Sequence, residues 1–152
     1  MPSTDNYTIR TANPTDLAQL IDLLKILFAI EEDFTFNQSL QRQGLELMLN
    51  NPAAQILVAE IQGQVVGMCS GQYTISTAEG GPALLLEDLV VQEEFRGAGI
   101  GRQLAKSLEL WAQGNGVSRL QLLADRHNSS ALGFYQKLGW QHTQLICLRK
   151  QL

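Results

Sequence analysis

The stretch from Ala83 to Val91 is the most apolar in the chain, and two adjacent carboxylates, Glu87 and Asp88, sit inside it. A run so rich in Leu and Val reads as a central strand covered on both faces. Successive residues of a strand point to opposite faces, so the two acids cannot both reach water from a covered sheet. An ionised carboxylate buried without a partner is costly. One of the pair then lines a cleft while the other caps backbone groups or meets a cation. The competing reading places both in an edge-exposed bulge.

This strand leads into Arg96-Gly97-Ala98-Gly99-Ile100-Gly101-Arg102, and a helix follows whose Ile100, Leu104, Leu108 and Trp111 form one apolar stripe. Glycines at alternate positions remove side chains and let backbone N–H groups close on an anion. Those N–H groups belong to a helix's first turn, where donors lack partners and the dipole is positive, which suits phosphate oxygens. The plainer alternative is a strand-to-helix turn without a ligand. A Walker A loop is disfavoured because Gly101 is followed by Arg102-Gln103 and not directly by Lys-Ser or Lys-Thr. The spacing is GxGxG rather than the GxGxxG of a dinucleotide fold, and it comes after four expected strands. A pyrophosphate-bearing cofactor entering beside a central strand remains.

The 152 residues suffice for one domain, read as spanning 1–152, with a core that needs no disulfide or metal. A net charge of −4 argues against a general nucleic-acid-binding surface. The polar amino terminus lacks a signal-peptide layout, and no apolar run reaches the ~18 residues of a membrane span. Cys69 and Cys147 show no metal-ligand spacing and read as buried, reduced thiols. The expectation is a cytoplasmic protein with no metal, nucleic-acid or membrane partner.

Periodicity gives a strand over 7–12, then a helix capped by Asn13 with Pro14 in its first turn, carrying Leu17, Leu20, Ile21, Leu24, Leu27 and Phe28 on one face. A second helix is expected over 39–49, a hairpin about Gln62-Gly63, a strand over 120–124 and a helix over 129–138. Trp140–Thr143 and Leu145–Arg149 read as closing strands. The fold class is α/β (α+β), one mixed sheet with helices packed on it.

Together these residues resemble the GNAT superfamily of acyl-CoA-dependent N-acetyltransferases. Arg96–Gly101 matches the family's R/Q-x-x-G-x-G/A pyrophosphate loop. Asn128 to Tyr135 with Gly139-Trp140 matches its N-x-x-A-x-x-F-Y-x-x-x-G-F segment, with Trp for the usual Phe. Leu86 to Val91 and Tyr135 are similar to the diamine (polyamine) branch. The resemblance implies a mostly antiparallel sheet with a splayed central strand pair, and acetyl-CoA as co-substrate. It places Glu87 by the amine as general base, directly or through a water, and makes Tyr135 the proton donor to the leaving thiolate. Backbone groups at Leu89, Val90 and Val91 would meet the acetyl and pantetheine amides, and Arg96 to Arg102, including Ala98, the pyrophosphate. Asn128 would bond the pantetheine arm or order its helix start.

Glu31, Glu32 and Asp33 follow the first helix, where the dipole disfavours acids. In the family this segment often lines the acceptor cleft, and carboxylates there would attract a cationic amine; the alternative is a solvated turn. Phe34 and Phe36 would wall the same cleft or anchor the loop. The resemblance therefore implies direct transfer of acetyl to a small primary amine, and family habit adds a homodimer. The rivals are a non-catalytic acetyl-CoA sensor, acetylation of a protein amine, and a nucleotide-dependent oxidoreductase.

Overall fold

The computed structural model describes residues 6–31 and 33–152. Contacts divide the chain into two compact units, one running to Gln121 and the other from Leu122 to Leu152. The first contains β1 (Thr8–Thr11), α1 (Leu17–Ile30), α2 (Gln38–Leu49), β2 (Ala54–Ile61), β3 (Gln64–Ser76), β4 (Gly81–Val91) and α3 (Ile100–Gly114). Strand β5 (Leu120–Leu122) crosses the division, and α4 (Ser129–Lys137) lies in the second unit. The sheet order is β1-β2-β3-β4-β5, and the first three pairings are antiparallel.

Local chemistry explains most boundaries. Asn13 and Asp16 form a reciprocal capping box over a 3-10 turn at Pro14–Asp16 that delivers the chain into α1. Asp16 is buried, and Arg10 makes it affordable: guanidinium nitrogens donate to its two oxygens at 2.7 and 2.9 Å. Arg10 Nε also donates to Glu60 at 2.9 Å, tying β1 to β2. These hydrogen bonds hold the Asp16 carboxyl below its usual range. Gln62 and Gly63 both take positive φ, the twist-matched geometry of a two-residue hairpin.

One face of the sheet, with Val58, Met68 and Val90, packs on Leu20, Ile21, Leu23 and Leu24 of α1 and Leu45 of α2. The other face receives α3 through Leu104 and Leu108, both fully buried. Gly67 and Gly71 of β3 make that approach close. A Cβ at Gly71 would lie 2.9 Å from Leu84 Cδ2 and 3.1 Å from Leu108 Cδ2; one at Gly67 would lie 3.2 Å from Leu104 Cδ1. Tyr73 stacks flat on Trp111, ring centres 5.0 Å apart, beside the last turn of α3.

In the second unit, Asn128 caps α4, accepting from Ala131 N at 3.1 Å. The helix stops in a Schellman motif: Gly139, at φ +91°, donates to Gln136 O, and Trp140 donates to Tyr135 O. The expected strands at Trp140–Thr143 and Leu145–Arg149 are not formed; residues 141–152 carry no strand pairing. A short apolar run suits a strand, but a ladder also needs a partner edge, and Leu145, Ile146 and Leu148 stand exposed. Cys147 is exposed with them, whereas Cys69 is buried as expected.

Candidate active site

The Glu87-Asp88 pair lies within β4, an interior strand, and the ladder breaks there. Ser70 pairs with Glu87 and Met68 with Val90, so the single residue Cys69 opposes both Asp88 and Leu89. That count defines a β-bulge. Asp88 sits at φ +53°, in the left-handed region that Asp tolerates better than most residues. The two sequence readings thus merge: the strand is interior and the bulge is real.

The bulge also changes which way the acids point. Ser70 is the cross-strand partner of Glu87, and its hydroxyl lies 3.3 Å from Asp88 Oδ2 and 3.1 Å from Glu87 O. Both carboxylates therefore share the face that Ser70 occupies, whereas strict alternation would have separated them. Burial, and then the charge of Glu87, push the Asp88 carboxyl up to about 6; the Ser70 hydrogen bond opposes this and the charge of Glu31 adds to it. Glu87 is exposed, yet partial burial still raises its carboxyl. The buried thiol of Cys69, beside Asp88, is pushed upward by desolvation and by that carboxylate.

Glu31 is the C-cap residue of α1, and its charge, like that of Glu87, acts on Asp88. Phe34 is exposed and packs against Phe28 at 5.6 Å, anchoring the loop after α1. The Phe36 ring lies 5.9 Å below Lys25 Nζ. Glu32 falls outside the described residues.

Past Val91 a short 3-10 turn at Glu93–Phe95 leads into the glycine loop. Arg96 Nε donates to Val91 O at 2.9 Å, so this side chain staples the loop to the strand end. Gly97 and Gly99 take φ +82° and +84°, and a Cβ at either would meet nothing within 4 Å. The glycines are therefore required by backbone conformation and leave the loop open on the outside. Gly99 is the N-cap of α3, with no side-chain cap and no acid in the first turn, while Ile100 is buried beneath it. Arg102 and Lys106 are exposed one turn apart on α3. This is a positively polarised helix start without a side-chain cap, fit for a diphosphate.

Leu89 and Val91 are partly buried and Val90 is buried. The three-residue β5 adjoins β4, and just before it Leu84 N donates to Arg119 O at 3.0 Å. In the second unit, Tyr135 packs edge-on between Phe134 and Trp140, at 5.2 and 5.8 Å. The Asn128 side chain is engaged in capping α4, one of its two expected roles. A cavity of about 420 Å³ there is lined by Gln136, Gly139, Trp140, Gln141 and His142, none of them expected site residues.

Two residues were not singled out as site members by sequence reasoning. Asp88 was visible as an acid in an apolar strand, but its face depends on the bulge. Ser70 had a fainter signal, a lone hydroxyl closing the apolar run Val65–Cys69.

Solved structures share this fold. A chain from Agrobacterium tumefaciens C58 bearing an acetyltransferase designation superimposes with a TM-score of 0.81 at 26% identity, over 95% of this chain and 99% of the other. An acetyltransferase of Trypanosoma brucei gives 0.76 at 25% identity, over 97% and 100%. The aminoglycoside N-acetyltransferase AAC(6')-Iy, in complex with the bisubstrate analogue CoA-S-monomethyl-acetylneamine, gives 0.83 at 21% identity, over 97% and 100%. The family model described as the acetyltransferase (GNAT) family matches residues 20–140, a span that includes the acidic bulge, the glycine loop and the Asn128–Trp140 segment. The chain belongs to the GNAT acetyltransferase family.

Proposed function

We propose that this protein transfers acetyl from acetyl-CoA to a primary amine of a small, cationic acceptor, in a ternary complex. The observation that carries the reading is the bulge that turns Glu87 and Asp88 onto one face, at the end of the strand that feeds the glycine loop. A free alkylamine is almost wholly protonated at pH 7 and must lose a proton before it can attack. Glu31, Glu87 and Asp88 supply the negative charge that draws an ammonium in. Glu87, the more exposed, meets it first, and Asp88, with its carboxyl near 6, is matched to receive a proton near neutral pH. The N–H bond breaks, an O–H bond forms on the carboxylate, and the freed lone pair attacks the thioester carbonyl carbon. The backbone N–H at Leu89 is assigned to the developing oxyanion. When the C–S bond breaks, Tyr135 is assigned, on the resemblance, to give the thiolate its proton; the nitrogen, which still carries one proton more than the amide needs, releases it to water, and water returns a proton to the Tyr135 phenolate. Gly97 to Arg102 hold the diphosphate, with Arg96 fixing the loop.

Support for a cationic acceptor comes from a relative: AAC(6')-Iy is crystallised with a CoA–acetylneamine analogue and with CoA itself. The deciding experiment is thiol release from acetyl-CoA across polyamines, aminoglycosides, aminophosphonates, amino acids and lysine peptides, with mass spectrometry of products. Acetylation confined to small polycations fits the proposal. Cofactor binding with no turnover on any amine would make the protein a sensor, and turnover on peptides alone would make it a protein acetyltransferase.

A further inference from the structure

Ser70 lies in the middle of β3, among Val65, Val66, Met68 and Cys69, with 1% of its surface exposed. A hydroxyl taken so far from water must be hydrogen-bonded to be tolerated. Its two partners, Glu87 O at 3.1 Å and Asp88 Oδ2 at 3.3 Å, both belong to the bulge. One hydroxyl carries one proton, so it donates to only one of them at a time.

We propose that Ser70 is a positioning residue for proton transfer, holding Asp88 in place whether or not the carboxylate carries the acceptor's proton. With Asp88 ionised, the Ser70 proton turns to Oδ2, a charge-assisted bond. Once Asp88 has taken a proton, its own O–H donates to Ser70 Oγ, and the Ser70 proton swings to Glu87 O. The contact survives both states because a hydroxyl is donor and acceptor together. A threonine would do the same, whereas alanine or valine would leave Asp88 without its partner at either stage. The other titratable groups facing Asp88 among the described residues are Glu87 on β4, Cys69 on β3 and Glu31 at the end of α1. None is altered by a change at Ser70.

The inference rests on the amine-acetylation reading, so its test has two arms. Ser70→Val and Ser70→Thr are nearly isosteric and differ by the hydroxyl. In the pH profile of kcat/KM, Ser70→Val and Ser70→Ala should move the acidic limb upward by about 0.5–1 unit, the excess of a charge-assisted bond to ionised Asp88 over the neutral bond Ser70 keeps with the protonated acid. Their rates should return toward the wild-type plateau at high pH, and Ser70→Thr should keep the wild-type limb. A limb unmoved in Ser70→Val and Ser70→Ala, or a uniform loss at every pH, overturns the proposal. The second arm follows Asp88 by carboxyl carbon NMR, without turnover. If no amine is acetylated by the wild-type protein, the functional reading fails. The titration still decides the role of Ser70: an upward shift in Ala and Val but not Thr supports it, and an unchanged midpoint refutes it.

Discussion

Replacing Asp88 by Asn should make this protein more stable and less active, and the gain should depend on pH. The folded-state carboxyl titrates near 6 against an ordinary value of 3.8. Above pH 6 the folded chain therefore carries a charge that the unfolded chain hydrates more cheaply. A shift of about 2 units is worth about 3 kcal/mol of destabilisation, fully expressed at pH 8. The folded state binds more protons than the unfolded one between the two values, so this cost grows as pH rises from about 4 to about 6. Asn keeps an oxygen for Ser70 and tolerates positive φ, so little else changes. We expect urea denaturation at pH 8 to show Asp88→Asn about 2–3 kcal/mol more stable, a melting shift of roughly 5–10 °C for a chain of this size. The gap should close near pH 4. An Asn variant no more stable at pH 8, or a gain that persists in acid, would refute the argument that Asp88 is held against its hydration preference.

Gly99→Glu should abolish acetyl-CoA binding in a calorimetric titration, because it adds a negative charge at a helix start meant for phosphate. Gly99→Ala separates the terms: its Cβ meets open space, so the cost of about 1–2 kcal/mol for the left-handed backbone falls on stability. Wild-type affinity in the Glu variant would remove the loop from the site. Tyr135→Phe should lower kcat by about 10²–10⁴-fold with acetyl-CoA affinity nearly intact; lost affinity with normal turnover would disprove the acid role. Asp16→Asn should cost about 2–4 kcal/mol by breaking the Arg10 fork and the capping box. Here the carboxyl is depressed, so its contribution is present above the ordinary carboxylate range and lost only as pH falls through the lowered value. Denaturation at pH 8 and pH 5 should give the same loss, the opposite of the Asp88 behaviour.

The elements built from local signals were legible in the sequence. The Asn13-Pro14-Asp16 start, the Gln62-Gly63 turn and the Gly139 stop each depend on residues a few positions apart, and each formed where expected. The glycine loop was legible for the same reason. The direction of Asp88 was not, because it depends on Cys69 of β3 opposing two residues of β4, a register that no short window of sequence contains. The absent pairing at Leu145–Arg149 is the same lesson in reverse: an apolar run describes a segment, whereas a strand is a relation between two segments. Glu31 stood open between a solvated turn and the acceptor cleft, and its charge is felt at Asp88 because α1 packs on the face of the sheet where the bulge opens.

The missing side chains at Gly67 and Gly71 have a mechanical consequence. They let α3 rest close on β3, so two absent methyl groups set the height of the helix that starts at the glycine loop. Adding bulk at 67 wedges α3 at Leu104, nearer the loop, and adding it at 71 presses on Leu84 and on Leu108, near the middle of the helix, so the two positions should displace it differently. The angle at which the glycine loop is presented can thus be retuned from underneath, by residues that lie outside it.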